Sequence, residues 1–167
     1  PIYNKSISLA YSHTERKTVM PTVRSMLEEK GDAAIHSVAC SDTVYHALEV
    51  MAEHQVGAVM VTDGDHYAGI FTERDYARKI ILKGHDSRTT SICDIMTTEL
   101  ITVNPDTSAE QCMGLMTKYH VRHLPVVEGG RIIGLISIGD VVKQLIANRE
   151  STIAELENYI LGTGYGR

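Results

Sequence analysis

Two stretches of the chain carry the same spacing of chemically useful residues: Gly69-Ile-Phe-Thr72-Glu-Arg-Asp75 and Gly134-Leu-Ile-Ser137-Ile-Gly-Asp140. In each, a glycine and two apolar residues lead to a hydroxyl residue, and an aspartate follows three positions later. A hydroxyl residue that ends a strand and starts a helix leaves backbone N–H groups at a helix end with partial positive charge, and an anion fits there. The aspartate lies on the same first turn, where a carboxylate can accept two hydrogen bonds from the cis-diol of a ribose. Together the two groups suit a ribose phosphate. The same spacing is also an ordinary capping pair, in which hydroxyl and carboxylate satisfy orphan N–H groups. A cap accounts for either copy alone; it does not account for an in-register duplication that includes the preceding strand end.

The elements that position these motifs are themselves duplicated. The chain matches itself without a gap from Val38 to Ile81, with Val38 on Val103, Met51 on Met116, Val56 on Val121, Val61 on Val126, Gly69 on Gly134 and Asp75 on Asp140. Val44, Ala47, Leu48 and Met51 form one apolar helical stripe, and Ala109, Cys112, Met113 and Met116 repeat it. Val56 to Val61 and Val121 to Val127 are short apolar runs followed by Asp63-Gly64-Asp65 and Glu128-Gly129-Gly130, then by Tyr67 to Phe71 and Ile132 to Ile136, a hairpin in each copy. A second helix starts at Thr72 and at Ser137, with Tyr76, Ile80 and Ile81 apolar in one and Val141, Val142, Leu145 and Ile146 in the other. The unit is strand, helix, strand, strand, helix, so the fold class is α/β (α+β) with two pseudo-symmetric repeats.

This pattern divides the chain into an N-terminal arm at 1–22, a first repeat at 23–82, a polar linker at 83–91, a second repeat at 92–147 and a C-terminal helix and tail at 148–167. Short apolar turns, Val23 to Leu27 and Ile92 to Met96, precede the copies and are expected to be helical and to pack across the two halves. Thr152 and Glu155 have the spacing of a capping pair, with Ile153, Leu156 and Ile160 on one face of a terminal helix that ends at Gly162. Pro1 to Val19 show no period and are expected to form a mobile or partner-docking arm.

Composition narrows the function classes. With 43% hydrophobic and 22% charged residues the chain is of globular type, and with no Trp and one Phe its core is aliphatic. A net charge of -5 argues against a nucleic-acid-binding surface. No apolar run approaches the roughly 18–20 residues of a membrane span, and the N-terminal stretch lacks a basic region followed by a long apolar segment, so neither a membrane span nor a secretory signal is expected. Cys40, Cys93 and Cys112 make an odd count without C-x-x-C spacing, which favours a reducing compartment, the cytoplasm, over a disulfide framework or a zinc cluster. His120 and His123 straddle the change from helix to strand with no carboxylate or thiol ligand beside them, so no metal site is assigned. Cys112 lies on a helix's apolar stripe and reads as core, and no Ser-His-Asp or Cys-His arrangement is legible.

The paired motifs, the repeat spacing and the YHVRHLPVV segment from Tyr119 to Val127 resemble the CBS domain family, from about Val23 to Ile146, in the manner of the regulatory part of IMP dehydrogenase or the gamma subunit of AMP-activated protein kinase. The resemblance implies two repeats packed sheet to sheet as one stand-alone, non-catalytic module. Its two clefts would bind an adenine nucleotide, AMP, ADP, ATP or NAD, with S-adenosylmethionine less favoured. Asp75 and Asp140 would hold ribose hydroxyls, and Thr72 and Ser137 would meet ribose or phosphate. The opposite repeat would supply each second wall: Ser37, Gly57, Ala58 and Val59 for the Asp140 cleft, and Thr102, Arg122, His123 and Leu124 for the Asp75 cleft. Arg74, Arg122 and His123 direct a charged ligand to the Asp75 cleft. The family habit of pairing implies a homodimer and an effector protein as partners. Two other readings stay open: a piece of an enzyme, although a catalytic barrel alone needs about 250 residues, and a purely structural dimerisation module in which the aspartates act only as caps.

Overall fold

The computed structural model describes residues 20–31 and 34–160; the rest of the expected N-terminal arm, Pro1 to Val19, and the tail from 161 onward lie outside the described residues. Helix α1 (Val23–Lys30) leads to strand β1 (Ser37–Ala39), helix α2 (Val44–His54) and the hairpin of β2 (Ala58–Asp63) and β3 (His66–Thr72). A short helical run closes the repeat, beginning with α3 (Glu73–Asp75), widening to a π-helical stretch (Tyr76–Ile80) and ending in a 3-10 turn (Ile81–Lys83). A 3-10 turn (Ile92–Asp94), helix α4 (Ala109–Tyr119), the hairpin of β4 (His123–Glu128) and β5 (Arg131–Ser137), and helix α5 (Ile138–Ile160) make the second repeat.

The duplicated stripes form the helices they imply. Thr43 and Ser108 cap α2 and α4 by accepting from His46 N and Gln111 N, both at 3.2 Å. Val44, Ala47 and Met51 are buried on one, and Ala109, Cys112 and Met116 on the other. Both helices end on a residue in the left-handed region, Gln55 (φ 53°) and His120 (φ 54°), so even this strained exit is repeated.

The two sheets differ by a strand. In the first, β1 runs parallel to β2 and β2 antiparallel to β3; in the second only β4 and β5 pair, and the expected leading strand shrinks to a single parallel bridge, Val103 to Val126. In the first copy Cys40 N extends the ladder by donating to Thr62 O at 2.7 Å. Its counterpart is Pro105, which has no N–H to donate. Both hairpins shift register at matching points, Val61/Thr62 and Val126/Val127.

Among the described residues three apolar clusters form the core, and two exchange parts. Val23 and Met26 of α1 lie in the core of the second repeat with Val103, Cys112, Leu124 and Ile136. Ile92 and Ile95 from the start of the second repeat lie in the core of the first with Val38, Val59, Phe71 and Ile80. Each opening turn therefore packs across the halves as expected, and residues 23–30 belong by packing to the second repeat. Between the sheets, Ala58, Met60 and Ile70 meet Ile132 and Leu135. The exchange requires glycine on β3 and β5. A Cβ at Gly69 would stand 2.7 Å from Thr97 O, and one at Gly134 would stand 2.6 Å from Leu27 Cδ2.

Three expectations need correction. Helix α5 is continuous for 23 residues, so Thr152 and Glu155 fall inside it and start no second helix. The second helix of the first repeat is an irregular run rather than one α-helix: Ile80 is buried, whereas Ile81 and Leu82 are 58% and 78% exposed. Cys40 and Cys93 form a disulfide with Cα atoms 4.8 Å apart, inside the usual 4.4–6.8 Å range. Their 53-residue separation in sequence gave no sign of it, because the exchange of opening turns that joins them is a tertiary feature. Among the described residues no helix is long and apolar enough to cross a membrane.

Candidate functional site

The two motifs open into two clefts between the repeats. In each, the last residue of a hairpin strand caps the following helix: Thr72 before α3 and Ser137 before α5. The carbonyl that receives the first helical N–H comes from the residue just before the neighbouring strand, Glu73 N donating to Gly57 O at 3.2 Å and Ile138 N to Arg122 O at 2.8 Å. One donor of each helix end is thus already used. The aspartate completes the cap. Asp75 Oδ2 accepts from Thr72 N at 3.0 Å and Thr72 Oγ1 at 2.9 Å, and Asp140 Oδ2 accepts from Ser137 N at 2.7 Å and Ser137 Oγ at 3.0 Å. Both the ordinary cap and the ligand geometry can therefore hold at once, because one oxygen does the capping.

The second oxygen separates the clefts. Asp75 Oδ1 forms an ion pair with Lys79 Nζ at 2.9 Å and accepts a hydrogen bond from Thr97 Oγ1 at 3.1 Å, so both its oxygens are engaged. Lys79 is anchored further on Ile95 O at 2.7 Å. Asp140 has a lysine too, Lys30 of α1, but it meets Oδ2 at 2.9 Å and also Leu135 O at 3.0 Å. Among the described residues Asp140 Oδ1 carries no hydrogen bond. Burial raises the Asp140 carboxyl, but the Ser137 amide, Lys30 and the Ser137 hydroxyl more than offset this, so it lies below its ordinary value.

The Asp140 cleft has a volume of about 410 Å³ and is bordered across the repeats by Ile35, His36, Gly57 and Ala58, with Leu27 and Lys30 from α1. The Asp75 cleft, about 520 Å³, is bordered by Thr72, Arg74, Arg78 and Thr97 on one side and by His120, Arg122 and His123 on the other. Both volumes lie in the range of small-molecule sites, roughly 300–1,000 Å³. Gly57 and His123 border both clefts; a Cβ at Gly57 would sit 3.5 Å from His123 Cε1. Burial lowers the His123 imidazole, although Asp140 pulls the other way, and burial also lowers His36, helped by His54, stacked 3.9 Å away, and by Lys30. Among the described residues no group of three or more His, Cys, Asp or Glu side chains is arranged to hold a metal.

The structure gathers Thr72, Arg74, Asp75, Arg122 and His123 around one cleft and Ser137, Asp140, Gly57 and Ala58 around the other. Four expected residues stand elsewhere. Val59 and Leu124 are fully buried in the two repeat cores. Strand side chains alternate, so Ala58 and His123 face the space between repeats, and their next neighbours must point the other way. Ser37 and Thr102, one residue before the core positions Val38 and Val103, are exposed and border neither cleft; Ile35 and His36 take that place. Sequence reasoning missed Lys30 and Thr97, which come from the exchanged turns outside the gapless match.

This architecture has known counterparts. A family model for the CBS domain matches residues 32–82 and again 92–147. The chain belongs to the CBS domain family. CBSX3, a mitochondrial CBS domain-containing protein of Arabidopsis thaliana, is 43% identical over 152 residues, 86% of this chain and 73% of its own length. A solved structure of a protein with CBS domains from Burkholderia ambifaria superposes with a TM-score of 0.73 at 50% identity, over 75% of this chain and 94% of that one. A hexameric CBS-CP12 protein from bloom-forming cyanobacteria gives 0.65 at 27% identity, covering 74% of this chain and 67% of that one. As a CBS pair, the chain is a mixed α+β module of two repeats whose clefts lie where the repeats meet.

Proposed function

We propose that this CBS pair is a non-catalytic regulatory module that binds an adenosine-containing nucleotide, AMP, ADP, ATP or NAD, in the clefts between its repeats and passes the occupancy to a partner. The reading rests on Asp140: one carboxylate oxygen is fixed by the α5 cap, so the other is held in place to accept from a ribose diol at little further ordering cost. An adenine ring then lies between apolar and backbone groups of the two repeats, which Ile35, Ala58 and Leu135 supply. Arg74, Arg78 and Arg122 make the Asp75 cleft the place for a polyphosphate. Lys30 alone supports a less charged ligand at Asp140. S-adenosylmethionine, a cation, suits neither set well.

Exposed apolar side chains in the last helical segment of each repeat, Ile81 and Leu82 in the first and Val142 and Ile146 in the second, favour self-association through the helices. A homodimer is the simplest assembly; sedimentation equilibrium at micromolar concentration tests it, and a single species at monomer mass would refute it. The nucleotide reading is tested by calorimetric titration of nucleotide-free protein with AMP, ATP, NAD and S-adenosylmethionine. Asp140→Ala is expected to weaken AMP binding and Asp75→Ala to weaken ATP binding. No heat from any of the four would leave the aspartates as caps and the chain as a structural dimerisation module.

A further inference from the structure

The two exchanged turns dock on their repeats through the same backbone contacts. Ile92 N donates to Asp42 O at 2.9 Å and Cys93 N to Cys40 O at 3.3 Å; in the other half Val23 N donates to Thr107 O at 2.9 Å and Arg24 N to Pro105 O at 2.8 Å. Only the first docking is covalent, through Cys40–Cys93. In place of a covalent tie the counterpart adds exposed ion pairs to its buried Val23 and Met26, Arg24 with Asp106 at 3.4 Å and with Glu128 at 3.3 Å, and such pairs contribute little. Four residues beyond Cys93 stands Thr97, a wall of the Asp75 cleft. Its backbone exchanges hydrogen bonds with Ile70 at 2.9 and 2.8 Å, and its hydroxyl meets Asp75 Oδ1. Lys79 ties the same segment to the same carboxylate through Ile95 O and Thr97 Oγ1. Cys93 is exposed and Cys40 half-buried, so the bond is open to attack from solvent.

We propose that Cys40–Cys93 is an exchangeable disulfide whose redox state sets the firmness of the Asp75 cleft wall, and through it ligand affinity there. The part concerning affinity rests on the nucleotide reading above. The reductant is a dithiol. Its thiolate attacks Sγ of Cys93, the more exposed of the two residues, and the S–S bond breaks to release Cys40 thiolate, which takes up a proton. The second thiol of the reductant then attacks the mixed disulfide, releases Cys93 as a thiol and leaves the reductant as a disulfide; two electrons and two protons pass to the protein. Reduction does not free the segment outright, because Ile92 and Ile95 stay buried in the first core. It removes the one covalent tie and loosens residues 93–97.

The full chain tests this in air-oxidised form, after dithiothreitol, and as Cys40→Ser. Three readouts are combined: native maleimide counting of thiols, amide hydrogen exchange, and ATP titration. Oxidised protein is expected to label at neither Cys40 nor Cys93, and reduced protein at Cys93 first. Exchange at residues 95–97 should quicken on reduction and in Cys40→Ser, with residues 23–28 unchanged. ATP affinity should fall on the order of fivefold, and Asp75→Ala should erase that difference. Free thiols at Cys40 and Cys93 in oxidised protein, or exchange at 95–97 indifferent to redox state, would overturn the proposal. Redox-sensitive exchange without ATP binding in either form would support the staple and count against the nucleotide reading instead.

Discussion

Replacing Gly69 and, separately, Gly134 by alanine should give unequal losses although the two sites are related by the repeat. At Gly69 the new methyl would stand 2.7 Å from Thr97 O and 2.9 Å from Met96 Sδ. The methionine can turn aside, but Thr97 O is fixed as acceptor of Ile70 N at 2.9 Å, so backbone must move. Overpacking of this kind costs about 1–3 kcal/mol, and the stiffer unfolded chain returns about 0.4–1 kcal/mol. The net loss is about 1–2 kcal/mol, a fall in Tm of about 2–8 °C for a chain of this size. At Gly134 the obstacle is Leu27 Cδ2 at 2.6 Å, the end of a half-buried side chain. A changed rotamer there costs about 0.5–1.5 kcal/mol, most of it offset by the same unfolded-state gain. Thermal unfolding followed by circular dichroism measures both. Equal losses, or a larger loss at Gly134, would refute the view that a pinned carbonyl and a movable side chain decide the difference. Because Thr97 also meets Asp75, Gly69→Ala should weaken ATP at the Asp75 cleft as well.

Three further outcomes are expected. His36 and His123 are held below the ordinary 6.5 by burial, so the unfolded chain takes up their protons first; stability should be intact above pH 6.5 and decline as pH falls below it, whereas a urea midpoint flat from pH 8 to 5 would contradict that burial. Asp140, held below 3.8, adds a loss only in the carboxylate range below that value. Gln55→Gly should raise stability by about 0.5–1 kcal/mol, since Gln55 sits exposed at φ 53° where glycine is unstrained; a loss in urea unfolding would mean that its side chain matters to the fold. Cys112, buried and pushed up to about 11, should stay unlabelled by iodoacetamide at pH 8 until urea unfolds the chain, and rapid native labelling would place it outside the core.

The repeat, the element order and the two capping aspartates were legible in the sequence because each rests on local periods: a helical stripe from Val44 to Met51, alternation in the hairpins, and a hydroxyl three residues before a carboxylate. The fine assignment of cleft walls was less legible. A strand's period of two makes a one-residue error switch faces, which is why Val59 and Leu124 belong to cores and Ala58 and His123 to the clefts. Tertiary structure alone decided what the exchanged turns bring: Lys30 to Asp140, Thr97 to Asp75, and Cys93 to Cys40. Those partners are 110, 22 and 53 residues apart. No local pattern specifies them; they meet because each opening turn buries its apolar residues in the other repeat's core, and the charged and sulfur-bearing side chains are carried along.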